Sequence, residues 1–67
     1  MDLIKLRLIL KANKMTASQI SKRTGYSSGR ISQWIHGKLP MPDDFKTALR
    51  LMKLHVPDFI GEFDWNK

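Results

Sequence analysis

Residues 28–36 carry most of the side chains that could recognise a ligand through hydrogen bonds. At helical spacing, the apolar residues Ile31, Trp34 and Ile35 fall on one face of this segment. The opposite face is polar and consists of Ser28, Gly29, Ser32, Gln33 and His36. The small residues at its start would let the backbone come close to a ligand. A helix that protrudes with this face outward has about the right width for a DNA major groove.

Basic residues are concentrated in the first half of the chain. Residues 1–38 contain eight lysines and arginines against one acidic residue, Asp2, whereas residues 39–67 contain four basic and five acidic residues. The formal net charge of the chain is +6. This asymmetry predicts that a polyanion would meet the first half, although charge alone is equally compatible with a solvated basic surface.

Helix-boundary signals predict three short helices that would position the polar segment. Each begins after a residue whose side chain can accept hydrogen bonds from backbone amides, namely Asp2, Thr16 and Ser27. The predicted helices span residues 2–13, 17–24 and 28–36. Gln19 stands three residues after Thr16, as a capping box requires. Gly25 and Gly37 suit the ends of the second and third helices, because glycine tolerates a left-handed backbone.

The second half of the chain predicts two more helices and no strand. Two prolines exclude helix from residues 38–42. Asp43 or Asp44 then caps a fourth helix, and Pro57 opens a short last one. These two helices span residues 43–55 and 58–62. The expected fold is therefore an all-α, compact five-helix bundle that forms a single domain over residues 1–67. Without cysteine, it must be held together by packing.

Residues 16–37 resemble the helix-turn-helix of the Cro and lambda-repressor-like family. The family pattern combines a hydroxyl cap, a small buried residue, a glycine and hydrophobe, a second cap, two buried positions and a final glycine. The matching residues here are Thr16, Ser21, Gly25, Tyr26, Ser27, Ile31, Trp34 and Gly37. The resemblance covers about residues 3–60. It implies a five-helix bundle of the lambda-repressor-like type and a sequence-specific regulator of transcription, such as a phage Cro-like repressor, that binds a double-stranded DNA operator.

Three positions depart from the family pattern. Family members often have glutamine where Ala17 stands, and alanine where Ser21 stands. The Ser21 hydroxyl therefore needs a partner, for which we expect the carbonyl four residues earlier. Many members also pair an arginine late in helix one with a glutamate late in helix three. Leu10 and Ile35 occupy those positions, so we expect an apolar contact between them in place of the ion pair.

The resemblance assigns roles in DNA recognition to specific residues. The residues expected to contact base edges are Ser28, Gly29, Arg30, Ser32 and Gln33. Gln33 is the strongest candidate because its amide can bind adenine through two hydrogen bonds, whereas Arg30 fits a guanine and a phosphate equally well. The residues expected to contact phosphates are Ser18, Lys22, Arg23, His36 and Lys38. Trp34 is expected to be a core anchor, and the basic residues of helix one, with the possible exception of Lys14, are expected to be solvated.

The resemblance also implies a homodimer on a palindromic operator, formed in free solution or only on DNA. One candidate dimer interface combines the loop before helix four with the last helix and consists of Leu39, Met41, Phe59, Ile60 and Phe63. The other candidate uses Ile4 and Leu8, which the core stripe of helix one does not need. Alternatively, Phe63 and Trp65 fold back onto Ile4 and Leu8 within one subunit.

Other classes of function find little support in the sequence. His36 and His55 have no partners at metal-ligand spacing, and no catalytic arrangement of side chains is evident. We therefore expect no enzyme, metal, cofactor or small-molecule ligand. No apolar run is long enough to span a bilayer and no signal peptide is evident, so we expect a bacterial cytoplasmic protein. The alternative is a protein-interaction module that uses the same fold, such as an antitoxin, although few residues follow the last predicted helix.

Overall fold

The computed structural model describes residues 1–65, and this part of the chain forms four helices joined by short connections. The helices are α1 (Leu3–Ala12), α2 (Ala17–Thr24), α3 (Ser28–Ile35) and α4 (Asp43–Leu51). The described residues contain no strand, which confirms the all-α expectation. None of these helices combines the length and the apolar character needed to cross a bilayer.

Side-chain caps set the beginnings of the first three helices, as the sequence predicts. The Asp2 carboxylate accepts hydrogen bonds from two backbone amides in the first turn of α1, at 3.0 and 3.1 Å. Thr16 and Gln19 form the expected reciprocal capping box at the start of α2. The Ser27 hydroxyl accepts a hydrogen bond from the third amide of α3 at 3.1 Å. Each such cap satisfies an amide that the helix leaves unpaired and stabilises the fold by about 1 kcal/mol.

All four helices contribute to one apolar core. Its fully buried members are Leu6, Ile20, Ile31, Phe45 and Leu49. The Trp34 ring lies between α3 and α4, with its centroid 4.7 Å from that of Phe45. Tyr26 packs edge-on against both rings, at centroid distances of 5.2 and 5.6 Å. The prediction that Trp34 is a core anchor is therefore confirmed, and this aromatic cluster holds α4 against α3.

The start of α4 differs from the prediction. Pro42 occupies the N-cap position, and no side chain of residues 1–65 forms a capping hydrogen bond there. Asp43 and Asp44, expected as caps, lie inside the first helical turn instead. Their negative charges still complement the positive end of the helix dipole.

The end of α4 also differs from the prediction, since the helix stops at Leu51 rather than near residue 55. The Asn13 side chain donates a hydrogen bond to the His55 carbonyl at 2.8 Å and accepts one from the His55 amide at 3.0 Å. The amide and the carbonyl of His55 therefore both bond Asn13, the C-cap residue of α1, and do not form the hydrogen bonds that would continue α4. Lys53 has a left-handed backbone with φ of 53°, which also ends the helical path.

The predicted fifth helix is wrong, and four helices rather than five form in the described residues. Two overlapping turns replace it, in which the Ile60 amide bonds the Pro57 carbonyl and the Gly61 amide bonds the Asp58 carbonyl. Gly61 then takes a φ of 73°, which ends the segment after a single turn. Ile60 is buried and anchors this turn to the body of the protein.

Candidate nucleic-acid interface

Side chains of α2 hold the turn between α2 and α3 in place. Gly25 begins the turn with a φ of 85°, a conformation that favours glycine. The Ser21 hydroxyl donates to the Tyr26 carbonyl at 2.5 Å, which corrects the expected bond to the carbonyl four residues earlier. The Thr24 hydroxyl donates to the Ile20 carbonyl at 2.8 Å and also accepts a long bond from the Tyr26 amide. The sequence therefore sets the orientation of α3 partly through polar side chains of α2.

The two faces of α3 differ sharply in burial. Ile31, Trp34 and Ile35 are buried, as predicted. Four of the five residues expected to contact bases are exposed, namely Ser28, Gly29, Arg30 and Gln33. The fifth, Ser32, is half-buried. Apart from its chain neighbours and the backbone of its own helix, a Cβ atom placed on Gly29 would meet no heavy atom of the described residues within 4 Å, so the backbone there is open to close approach.

The residues expected to contact phosphates lie on α2 and directly after α3. All five are exposed, namely Ser18, Lys22, Arg23, His36 and Lys38. Lys22 and Arg23 lie in the last turn of α2 and, with Met15 and Gln19, line a shallow depression of about 290 Å³. The sequence contains no acidic residue from position 3 to position 42. The positive potential of this surface is therefore not offset by carboxylates of its own segment.

The imidazole of His36 is fixed at the end of α3. Its Nδ1 atom lies 2.9 Å from the Ser32 carbonyl oxygen. Because a carbonyl only accepts hydrogen bonds, Nδ1 carries the hydrogen. In the neutral ring Nε2 is then an acceptor, so it can donate to an anion only when the ring is protonated.

Arg7 is a structural residue that sequence reasoning missed. It was expected to be a solvated charge, but its Nη1 atom donates to the Ile35 carbonyl at 2.8 Å and is partly buried. The bond satisfies a carbonyl at the C-terminal end of α3, where a cation also complements the helix dipole. Its helical phase, three residues before the buried Leu10, is the signal that could have revealed it. Leu10 and Ile35 both belong to the core beside this bond.

The residues proposed for the first dimer interface do not form one exposed surface. Ile60 is buried with 8% exposure, and Phe63 packs against the core and lies 4.7 Å from the Trp65 ring. Leu39 and Met41 line a cleft of about 420 Å³ between the start of α1 and the end of α3. Phe59, in contrast, is strongly exposed.

The residues of the second candidate dimer interface are exposed to solvent. Ile4 and Leu8 on α1 are exposed at 67% and 42%. Phe63 and Trp65 are partly buried against the main core, but Ile4 and Leu8 stay exposed, so the alternative in which the two aromatic residues cover them is not confirmed. That packing still leaves the outer side of α1 accessible.

No group of three or more histidine and acidic side chains within residues 1–65 could hold a metal ion. Comparisons of the chain with models of protein families, with characterised proteins and with solved structures found no match. Inference about function therefore relies on the surface described above.

Proposed function

We propose that the protein is a sequence-specific regulator of transcription, a Cro-like repressor that inserts α3 into the major groove of operator DNA. The observation that carries this proposal is the exposed polar face of α3, in a segment that carries exposed cations and is free of acidic residues. A major groove admits a single α-helix, and its base edges present the donors and acceptors that such a face can bind. Residues 16–37 would then act as a helix-turn-helix.

Base recognition in this proposal depends on Gln33 and Arg30. The Gln33 amide would pair with adenine through two hydrogen bonds, and the Arg30 guanidinium would read guanine or bind a phosphate. Ser28 and Gly29 at the start of α3 are small, which would let the backbone approach the bases. Ser32, being half-buried, would make at most a peripheral contact.

Phosphate contacts would fix the position of the protein on the duplex. Lys22, Arg23 and Lys38 would supply charge, Ser18 a hydroxyl, and His36 its Nε2 atom when the ring is protonated. Each cation that neutralises a phosphate releases counterions, so the affinity for DNA should fall steeply with salt. An antitoxin-like module that binds a protein through another surface would show little affinity for random duplex and no such dependence.

Selection of bound sequences from a random pool of duplexes tests the proposal. We expect the wild type to enrich a palindrome whose half-sites lie about 34 Å apart, because a twofold dimer places its two recognition helices one DNA turn apart. Gln33→Ala should relax the preference at one position of each half-site. Thr47→Ala, which removes an exposed polar group from α4, is the matched control and should leave the selected sequence unchanged.

Two results would contradict this proposal. If the purified protein binds no duplex even at low ionic strength, DNA is not its partner. If Gln33→Ala enriches the same sequence as the wild type while circular dichroism shows an intact fold, Gln33 does not read a base.

A further inference from the structure

The outer side of α1 carries an apolar stripe that the fold leaves open. Ile4 and Leu8 stand one helical turn apart and are 67% and 42% exposed. Lys11 follows Leu8 by three positions and is exposed on the same side, while the half-buried Lys5 flanks the stripe. We call these four residues the α1 stripe. A partner for it should present an apolar group next to negative charge.

The turn after α4 presents this combination of groups. Phe59 is 76% exposed, the highest value among the large apolar side chains of residues 1–65. Asp58 precedes it and Glu62 follows it, and both are exposed. The buried Ile60 and the two hydrogen bonds of the turn fix the backbone, so Phe59 is held outward. We call Asp58, Phe59 and Glu62 the acidic turn.

The two surfaces are complementary but do not cover each other within one chain. Phe59, Ile4 and Leu8 would all be more buried if the acidic turn lay on the α1 stripe. The Asn13–His55 hydrogen bonds instead hold the start of the connecting segment at the C-terminal end of α1. Pairing between the surfaces therefore requires a second molecule.

We propose that the occupant of the α1 stripe is the acidic turn of a second copy of this chain. Phe59 of one copy would pack on Ile4 and Leu8 of the other, with Asp58 and Glu62 near Lys5 and Lys11. Each chain carries both surfaces, so a twofold arrangement of two copies would form the contact twice and close a dimer, whereas any other arrangement would give a ring or a filament. The complementarity in charge and the exposed apolar side chains on both surfaces favour this occupant over a nucleic acid, whose phosphates would meet the apolar side chains of Ile4 and Leu8. The inference rests on the proposed function only in taking this dimer as the DNA-binding form.

Sedimentation velocity over a concentration series, without DNA, tests the dimer directly. We expect a monomer–dimer equilibrium that weakens as salt is raised, because salt screens exposed charge pairs. Phe59→Ser and Leu8→Ser should each weaken the dimer by about tenfold or more. Leu51→Ser is the matched control, since Leu51 is 68% exposed but lies on α4 outside both surfaces, and it should leave the equilibrium unchanged.

A charge exchange gives a second test that does not depend on apolar residues. Lys11→Glu and Glu62→Lys should each weaken the dimer, and the double variant should recover most of the lost affinity. The inference is overturned if the wild type stays monomeric at every concentration, if Leu51→Ser weakens the dimer as much as Phe59→Ser, or if the double variant is no better than the single ones.

Binding to a random duplex, measured on the same samples, separates this inference from the proposed function. Lys11 and Glu62 lie outside the proposed DNA contacts, so both variants should still bind the duplex. A monomer that binds DNA would overturn the dimer and leave the proposed function standing. A dimer that binds no DNA would support the proposed dimer and overturn the proposed function.

Discussion

The α2–α3 region, residues 16–37, and the α4 region, residues 42–65, differ in how their surfaces are built. Residues 16–37, all of which the structure describes, expose no large apolar side chain and contain no acidic residue. The α4 region exposes Leu51 and Phe59 and carries all five acidic residues of the second half of the chain. A cationic polar surface suits a polyanion, whereas exposed apolar groups beside carboxylates suit a protein. The two proposals above accordingly assign a different partner to each region.

The largest effect should come from breaking the aromatic cluster that joins the two regions. Phe45→Ala removes a fully buried ring from between Tyr26 and Trp34 and should lower the free energy of unfolding by about 3–5 kcal/mol. Both regions should unfold together, as reported by denaturant titration with circular dichroism and tryptophan fluorescence. Leu51→Ala is the control and should change stability by less than about 0.5 kcal/mol. A small effect of Phe45→Ala would mean that the regions are stable independently.

Removing the Arg7 guanidinium should lower the stability of the α2–α3 region, because Arg7 on α1 bonds the end of α3. Arg7→Met keeps much of the apolar stem but loses the bond to the Ile35 carbonyl, at a cost of about 1–2 kcal/mol in stability. If Arg7 positions α3 rather than binding phosphate, DNA affinity should fall while its salt dependence stays the same. Lys53→Met, an exposed cation of the α4 region outside the proposed contacts, is the control. A reduced salt dependence in Arg7→Met would show that Arg7 contacts DNA instead.

A smaller loss should follow from deleting the cap of α3. Ser27→Ala removes the acceptor for an amide in the first turn and should cost about 1 kcal/mol, measured as a shift of the denaturation midpoint. Ser28→Ala, one residue later, deletes the same hydroxyl without a capping role and should be close to neutral. If the two substitutions cost the same, the Ser27 cap does not stabilise α3. In that case α3 would not differ in this respect from α4, which has no side-chain cap among the described residues.

The smallest effect on the free energy of DNA binding should come from replacing single surface cations. Comparing one cation from each region nevertheless distinguishes the two regions most directly. Log affinity for a random duplex falls with log salt, and Lys22→Ala should make this fall less steep by about one unit of slope. Lys53→Ala, in the α4 region, should leave that slope unchanged. Fluorescence anisotropy over a salt series measures both. Equal slopes for the two variants would place the DNA contact elsewhere.

Sequence reasoning was accurate where the signal and its consequence lie within a few residues. The caps at Asp2, Thr16 and Ser27 and the left-handed Gly25 all occur as predicted. The exposed face of α3 also follows from the phase of its apolar residues. The predictions failed after α4, where the apolar period continues past Leu51 but the helix does not. Local periodicity cannot reveal that a residue 42 positions earlier has bonded the backbone of His55.

By itself, the sequence determined the helices of residues 2–36, their boundaries to within one residue, the polar face of α3 and the segregation of charge, because capping and amphipathic phase are local interactions. Only the tertiary structure decided that Arg7 bonds the end of α3, that Ser21 holds the Tyr26 carbonyl and that Asn13 bonds the backbone of His55. It also decided that Ile60 is buried while Phe59 is exposed. These outcomes depend on which polar groups meet once the core has formed, because a buried backbone group takes whichever partner the packing brings within reach.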